Sequence, residues 1–369
     1  MRRTFCCVLS ILLISASCRP VAASDKKPAR RTENVIIVTL DGYRFQEFFT
    51  GADEALINKQ FGGVKEPGAL KKKYWRATAQ EGRAAVMPFM WNTIAKKGQI
   101  FGDLTRKSIS KVTNGLKFSY PGYSEMFCGW ADPAIKSNAK KPNANLSVLE
   151  FLHSKPAHKD KVAAFCTWDV FPFIFRSSRN GLKVHAGWLP VDDAPLTERQ
   201  RAMNDAIARL PRYWADNCFD APTMEFAREH IIRHKPRVIY LGLGETDEWG
   251  HGRRYDLYLD AAHYSDRYLS ELWDLLQKMP EYRDKTTLIV TTDHGRGDTR
   301  QDWTDHGEKV PLAEYIWIAV MGPDTPPLGV RENVETTQSQ IAATIAHLLG
   351  EDFVAAIPKA AAPLPGIRR

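Results

Sequence analysis

Four short stretches of the chain bring together side chains suited to metal chemistry. Asp41 ends one apolar run, Asp247 and His251 stand four residues apart, Asp293 and His294 are adjacent, and His306 sits between Asp305 and Gly307. Carboxylates and neutral imidazoles are the usual ligands of zinc and neighbouring transition metals, whereas calcium prefers a shell of oxygen alone. If residues 247–251 are helical, Asp247 and His251 share a face; if they form a loop, Gly250 lets the chain fold around an ion. Taken singly each stretch is a weak signal, because Asp-His pairs arise by chance. Six donors that divide into two sets, each following a β-rich run, are a stronger one.

Those runs are the elements that must place the donors. Residues 35–40 (VIIVTL), 237–243 (RVIYLGL) and 286–292 (TTLIVTT) are nearly continuous in apolar and β-branched residues. That pattern predicts strands buried on both faces of a parallel sheet. Functional groups gather at the carboxyl ends of such strands. Residues 162–166, 182–185 and 315–320 are shorter strand candidates. Helical apolar spacing marks residues 87–97, 147–152, 199–214, 223–234, 258–278 and 337–349, the last of them stopped by Gly350. Alternating strands and helices predict an α/β fold, with a mostly parallel central sheet and helices on both faces. Residues 131–146 and 187–222 read as excursions able to form lids, and the Ala- and Pro-rich tail from Ala355 as a loosely packed strap.

The chain has 369 residues, of which 44% are hydrophobic and 25% charged, a balance that excludes disorder and a bare coiled coil. Arg2 and Arg3 precede an apolar run at 6–14 and small residues up to Ala23. This is the layout of a secretory leader, cut after Ala23, and the run is too short to span a membrane. Lipidation at Cys18 is the alternative, although Ser15 stands where a lipoprotein signal carries an aliphatic residue. The expected destination is the bacterial periplasm, with no stable transmembrane anchor. Loss of residues 1–23 lowers the formal charge from +8 to +5. No basic stripe interleaved with aromatics suggests a nucleic-acid surface, and Lys71–Lys73 and residues 136–141 read as solvated loops. The expected layout is a leader (1–23), a flexible basic segment (24–33) and one catalytic domain (34–369). Of the cysteines left, Cys128, Cys166 and Cys218, at most two can pair within the chain, and Cys166–Cys218 is the candidate pair.

Five motifs in order, residues 35–44 (VIIVTLDGYR), 118–129 (FSYPGYSEMFCG), 244–251 (GETDEWGH), 288–295 (LIVTTDHG) and 305–307 (DHG), make the chain resemble the alkaline phosphatase superfamily, and within it the nucleotide pyrophosphatase/phosphodiesterase-like branch. The resemblance implies an alkaline-phosphatase-like fold and two divalent ions, usually zinc, with manganese in some branches. It implies that Asp41, Asp293 and His294 hold one ion and that Asp247, His251 and His306 hold the other. The nucleophile is implied at Ser119, which precedes Tyr120-Pro121; Ser124 and Thr113 are alternatives. Where the branch often has Asn, this chain has Gly122.

The reaction so implied is hydrolysis of a small-molecule phosphate ester through a phosphoserine, with monoester and diester both open. Sulfatase and phosphonate hydrolase are alternatives within the superfamily, the former without its Cys/Ser-x-Pro-x-Arg frame here. A metal-stabilised binding protein that has lost turnover is the rival from outside it. Glu245 and Thr246 are expected to line the pocket, Arg296 and Arg300 to bind a substrate anion, and Asp302 and Asp305 to orient His306. Asp169 is open between a cleft position and a cap. His153, His158, His185, His230, His234, His263 and His347 lack a comparable ligand pattern and read as surface or packing residues.

Overall fold

A computed structural model of the chain describes residues 31–367. The leader and most of the 24–33 segment lie outside the described residues. At 31–32 the backbone is tied down, where the Arg31 and Thr32 N–H groups donate to the Asp324 carboxylate.

Ten strands are present among the described residues: β1 (Asn34–Leu40), β2 (Gln99–Phe101), β3 (Ser108–Lys111), β4 (Val162–Cys166), β5 (Lys183–Ala186), β6 (Val238–Leu243), β7 (Thr286–Thr291), β8 (Ile318–Met321), β9 (Gly329–Val330) and β10 (Val334–Thr337). Eight form one sheet in the order β5-β4-β6-β1-β7-β8-β2-β9, while β3 and β10 pair separately. From β5 to β7 every pairing is parallel; β8 runs antiparallel to both β7 and β2. The expected mostly parallel sheet is therefore present, with one reversed strand.

All seven residues of β1 are buried. Its side chains alternate between two cores, Ile36, Val38 and Leu40 in one and Val35 and Ile37 in the other. A strand covered on both faces has no polar side, which is why its sequence shows no alternation. Helices α1 (Ser119–Cys128) and α5 (Gln340–Leu348) cover the second face. Helix α4 (Tyr255–Lys278) covers the first, and α2 (Asp220–His234) and α3 (Glu245–His251) flank β6 in the chain. No helix among the described residues is long and apolar enough to cross a membrane.

The sequence expectations for the smaller elements are met in part. Residues 88–97 are helical without a break, close to the expected 87–97, with π geometry at Met90–Ile94. Pro88 lacks an N–H and disfavours helix in the residue before it, so the helix starts at Pro88 and leaves Met87 outside it. The strand expected at 315–320 begins at Ile318. The helices Phe45–Thr50, Pro67–Tyr74 and Ala79–Val86 were not expected at all. The cysteine pair does not form: all three described cysteines are free and buried, and burial pushes the Cys128 and Cys218 thiols up to about 12.

Asp266 of α4 caps the start of the 88–97 helix, accepting from the Phe89 and Met90 N–H groups at 2.7 and 2.8 Å. Burial pushes its carboxyl up to about 7 from an ordinary 3.8. Between those values the folded chain carries a proton that the unfolded chain has lost, so this group's contribution to stability falls as pH rises through the window. Asp266→Asn should remove that slope. Denaturant midpoints from pH 4.5 to 8 should show the variant gaining on the wild type as pH rises, by on the order of 3 kcal/mol. Parallel curves would mean that Asp266 ionises as freely in the fold as in the unfolded chain.

Candidate metal centre

The parallel register aligns the carboxyl ends of three neighbouring strands, with Leu40 beside Leu243 and Thr39 beside Thr291. The chain leaves β1 into Asp41, β6 into α3, and β7 into Asp293 and His294. One sheet edge thus receives residues from three distant parts of the sequence. The stretch 245–251 is helical, so the open alternative closes on the helix: Asp247 and His251, at i and i+4, share a face.

The donors converge. His294 Nε2 lies 3.5 Å from Asp41 Oδ1, 3.4 Å from Asp293 Oδ2 and 3.9 Å from Asp247 Oδ1. His306 Nε2 is 3.8 Å from Asp247 Oδ1, and His251 Nε2 is 3.0 Å from His306 Nε2 and 3.2 Å from Asp247 Oδ2. Two compact triplets result, Asp41/Asp293/His294 and Asp247/His294/His306. The first is the set implied by resemblance. In the second, His294 is the compact member, and His251 stands on the exposed outer side.

Several contacts aim these side chains. The Tyr123 hydroxyl donates to Asp41 Oδ2 at 2.8 Å, and the Thr246 hydroxyl donates to the Asp41 carbonyl at 2.6 Å. His294 Nδ1 faces the Gly295 carbonyl and His306 Nδ1 the Lys117 carbonyl, at 3.0 and 3.2 Å. Each contact leaves the Nε2 atom free for the cluster. Gly42 N–H donates to Asp293 Oδ1 from a backbone at φ +57°, and a Cβ there would lie 2.5 Å from Asp247 Oδ1. That position has room for glycine alone.

Charge is concentrated here. Burial, then the neighbouring Asp293 and Asp247 carboxylates, pushes the Asp41 carboxyl well above its usual range. Burial also raises Asp293. For Asp247 burial acts in the same direction, yet Arg296, with His251 and His306 behind it, holds the carboxyl well below its usual range. Burial and the adjacent His294 keep His306 well below the ordinary imidazole value. Asp41 Oδ1 and Asp293 Oδ2 are buried with no hydrogen-bond partner. Orphaned carboxylate oxygens facing imidazole nitrogens fit a divalent cation, which supplies the missing partner.

A cavity of about 260 Å³ opens over the cluster, lined by Asp41, Ser119, Asp247, His251 and His306 together with Asn138, Lys140, Trp168, Asp216, Asn217 and Glu248 among others. Ser119 begins α1 and its Oγ lies 3.4 Å from His294 Nε2. The other two candidate hydroxyls are engaged elsewhere. Ser124 Oγ accepts from Asn143, and Thr113 Oγ1 donates to Glu125.

The four residues offered as substrate contacts do not line this cavity. Arg296 is fully buried behind Asp247, which it pairs with, and it also donates to the carbonyls of Gly42 and Thr304. Arg300 belongs to a separate, open cleft of about 1020 Å³, where it lies over the Phe61 ring. Glu245 accepts from the Asp220 N–H and the Trp249 indole, and Thr246 is occupied with Asp41. Asp302 and Asp305 do not orient His306; Asp302 accepts from Thr299 and Asp305 contacts Thr304. Asp169 pairs with Lys140 Nζ at 2.6 Å.

Six lining residues with polar groups went unread in the sequence. Asn138 and Lys140 come from the 131–146 excursion and Asp216 and Asn217 from the 187–222 excursion, so those two segments form the rim. Trp168 follows β4 and donates to Asp216 at 3.1 Å. Glu248 accepts from Asn217 at 2.8 Å, and burial, then Asp247, pushes its carboxyl up to about 7. The adjacency of Glu248 to Asp247 was the one available signal.

Gly122 also has a physical reason. A Cβ there would sit 2.6 Å from the Asp293 carbonyl oxygen, so α1 packs against the end of β7 only without a side chain. Gly122→Asn should force the two apart at a cost of about 1–3 kcal/mol and carry Asp293 out of place. Metal analysis and denaturation of the purified variant should show both losses; full metal content at wild-type stability would disprove the contact.

Residues 216–352 match a family model described as the Metalloenzyme superfamily, a span that includes Asp247, His251, Asp293, His294 and His306. No curated protein sequence matches the chain. Among solved structures it is similar to wild-type alkaline phosphatase PafA, at 11% identity and a TM-score of 0.60, covering 92% of this chain and 100% of that one. It is also similar to the lipoteichoic acid synthase LtaP from Listeria monocytogenes, at 13% identity and a TM-score of 0.56, covering 89% and 74%. A third is a 2-O GAG sulfatase, at 13% identity and a TM-score of 0.55, covering 91% and 74%.

Proposed function

We propose that this chain, which has the fold of the alkaline phosphatase superfamily, is a metal-dependent hydrolase of small phosphate esters acting through Ser119. The observation that carries the reading is the position of Ser119 Oγ, on the cavity floor beside both donor triplets. Asp41, Asp293 and His294 would hold one divalent ion and Asp247, His251 and His306 the other. Zinc is favoured by the mixed O and N donors, with manganese the alternative, and such ions supply Lewis-acid stabilisation of alkoxide and phosphoryl charge.

Ser119 Oγ attacks phosphorus and releases its proton to solvent, the bond to the ester oxygen breaks, and that oxygen takes up a proton from solvent and departs as the alcohol. Water then attacks the phosphoserine, breaking the Oγ–P bond and returning a proton to Ser119. Two in-line displacements leave the configuration at phosphorus retained. Ser119 is the first residue of α1, and the dipole of that helix favours an anion at this end. The small cavity suits a compact ester, and the rim residues Asn138, Lys140, Trp168, Asp216 and Asn217 would contact its leaving group.

Sulfate-ester hydrolysis is the second reading, favoured by the similarity to a sulfatase and by the Ser-x-Pro portion of Ser119-Tyr120-Pro121. Where a sulfatase frame would place Arg, this chain has Tyr123, its hydroxyl spent on Asp41. We place the enzyme outside the cytoplasm on the strength of residues 1–23, with residues 34–369 as one catalytic domain. The test is turnover of matched aryl phosphomonoester, phosphodiester and sulfate substrates by the metal-reconstituted protein. Preference for either phosphate supports the proposal, preference for sulfate replaces it with the second reading, and two bound metals without any turnover would leave a binding protein.

A further inference from the structure

A third group of donors lies away from the catalytic cavity. His230 and His234 occupy the last turn of α2, and Asp193 belongs to the loop between β5 and the helix Glu198–Arg209. Asp193 Oδ2 stands 3.5 Å from His230 Nδ1 and 3.9 Å from His234 Nε2, and the two imidazole rings are 4.5 Å apart. These donor atoms all fall within 4.8 Å of one another.

Hydrogen bonding accounts poorly for this arrangement. A 3.9 Å separation is too long for a hydrogen bond and 3.5 Å is at its limit. The carboxylate has a better partner on its other oxygen, where Lys183 Nζ lies 2.6 Å from Asp193 Oδ1. Oδ2 is thereby left facing the two imidazoles. Ligand atoms bound tetrahedrally at about 2.0–2.1 Å from zinc stand roughly 3.3–3.5 Å apart, and the two carboxylate–imidazole distances of 3.5 and 3.9 Å need only a small contraction to meet that. Histidines at i and i+4 share one helix face, and two imidazoles with one carboxylate form a known zinc donor set. His230 is buried while His234 is partly exposed, so a fourth position on the His234 side can take water.

We propose that Asp193, His230 and His234 form a third divalent-metal site, of zinc type, which fastens the start of the 187–222 excursion to the end of α2. The joint already has polar supports: Arg233 donates to the carbonyls of Asp193 and Pro195 and to Gln200 Oε1, at 3.1, 3.1 and 2.8 Å. A metal would lock it. Because the same excursion carries Asp216 and Asn217 to the cavity rim, the ion holds that rim from behind without touching substrate. The histidines that read as ordinary packing residues acquire a role once the fold brings Asp193 to them.

The test is zinc content by mass spectrometry of the full chain after chelator stripping, reconstitution and removal of excess metal. His234→Ala, at the exposed end of the helix, should bind one zinc equivalent fewer than wild type, as should Asp193→Asn. Asp247→Asn should lose metal independently, so the double variant with His234→Ala should show both losses. Zinc should also raise the melting temperature of stripped Ser119→Ala more than that of the same variant carrying His234→Ala. Equal zinc content in wild type, His234→Ala and Asp193→Asn would overturn the site, whatever the ester assays show.

Discussion

Ser119→Ala should lower ester turnover by on the order of a thousandfold or more, while metal content and melting temperature stay near wild type. The separation is expected because Oγ belongs to neither donor triplet; its one contact there is with His294 Nε2 at 3.4 Å. Removing it deletes the attacking atom and leaves every ligand in place. Ser124→Ala is the control: that hydroxyl accepts from Asn143, inside the second core, so its loss should touch stability and spare turnover. Trapping of phosphate on the wild-type chain, absent from Ser119→Ala, would identify the covalent intermediate. Equal metal loss in Ser119→Ala would make the serine a structural part of the centre, and unchanged turnover would remove it from the chemistry.

Stripping the metals should destabilise the fold, and more strongly at pH 8 than at pH 5.5. Without metal, burial and mutual repulsion raise the Asp41 and Asp293 carboxyls above their usual range. The folded chain then holds protons that the unfolded chain releases, so metal-free stability declines as pH rises above the ordinary carboxylate value. Asp247 runs the other way, its carboxyl held low by Arg296 after burial is overcome. Its contribution is present above the ordinary value and is lost only as pH falls through the depressed one. Metal binding adds stability in the same alkaline direction, because protons compete for the ligands in acid. An ion at a thousandfold its Kd contributes about 4 kcal/mol. Melts with and without chelator at the two pH values should therefore diverge at pH 8. A gap of the same size at both would mean that the clustered carboxylates are not what the metal offsets.

The inner strands could be read because β1, β6 and β7 are covered on both faces, which leaves an apolar run with no alternation. Their carboxyl ends then located Asp41, Asp247, Asp293 and His294 without any knowledge of pairing. The rim was not legible. Asn138, Lys140, Asp216 and Asn217 lie on irregular segments whose course follows from tertiary contacts, not from periodicity. Arg296 misled for a related reason: an arginine beside two ligands suggests an anion contact, and only the packing shows its guanidinium enclosed behind Asp247. The segment 87–97 carries helical spacing, but Pro88 and the Asp266 carboxylate determine where its turn begins. His230 and His234 read as surface or packing residues, because Asp193, nearly forty residues earlier, could not be joined to them by spacing.

The order of strands also sets a schedule for the growing chain. β1 emerges first, yet its neighbours are β6 and β7, so Val35 must wait for Val238 on one side and Thr287 on the other. Pairings so distant in sequence form slowly, since a long loop must close before any contact rewards it. During synthesis this strand, buried on both faces in the finished fold, stays unsatisfied until about four-fifths of the polypeptide exists. Its exposure over that interval makes residues 34–40 the place where a holding chaperone would act, and the metal ligands can meet only after that hold is released.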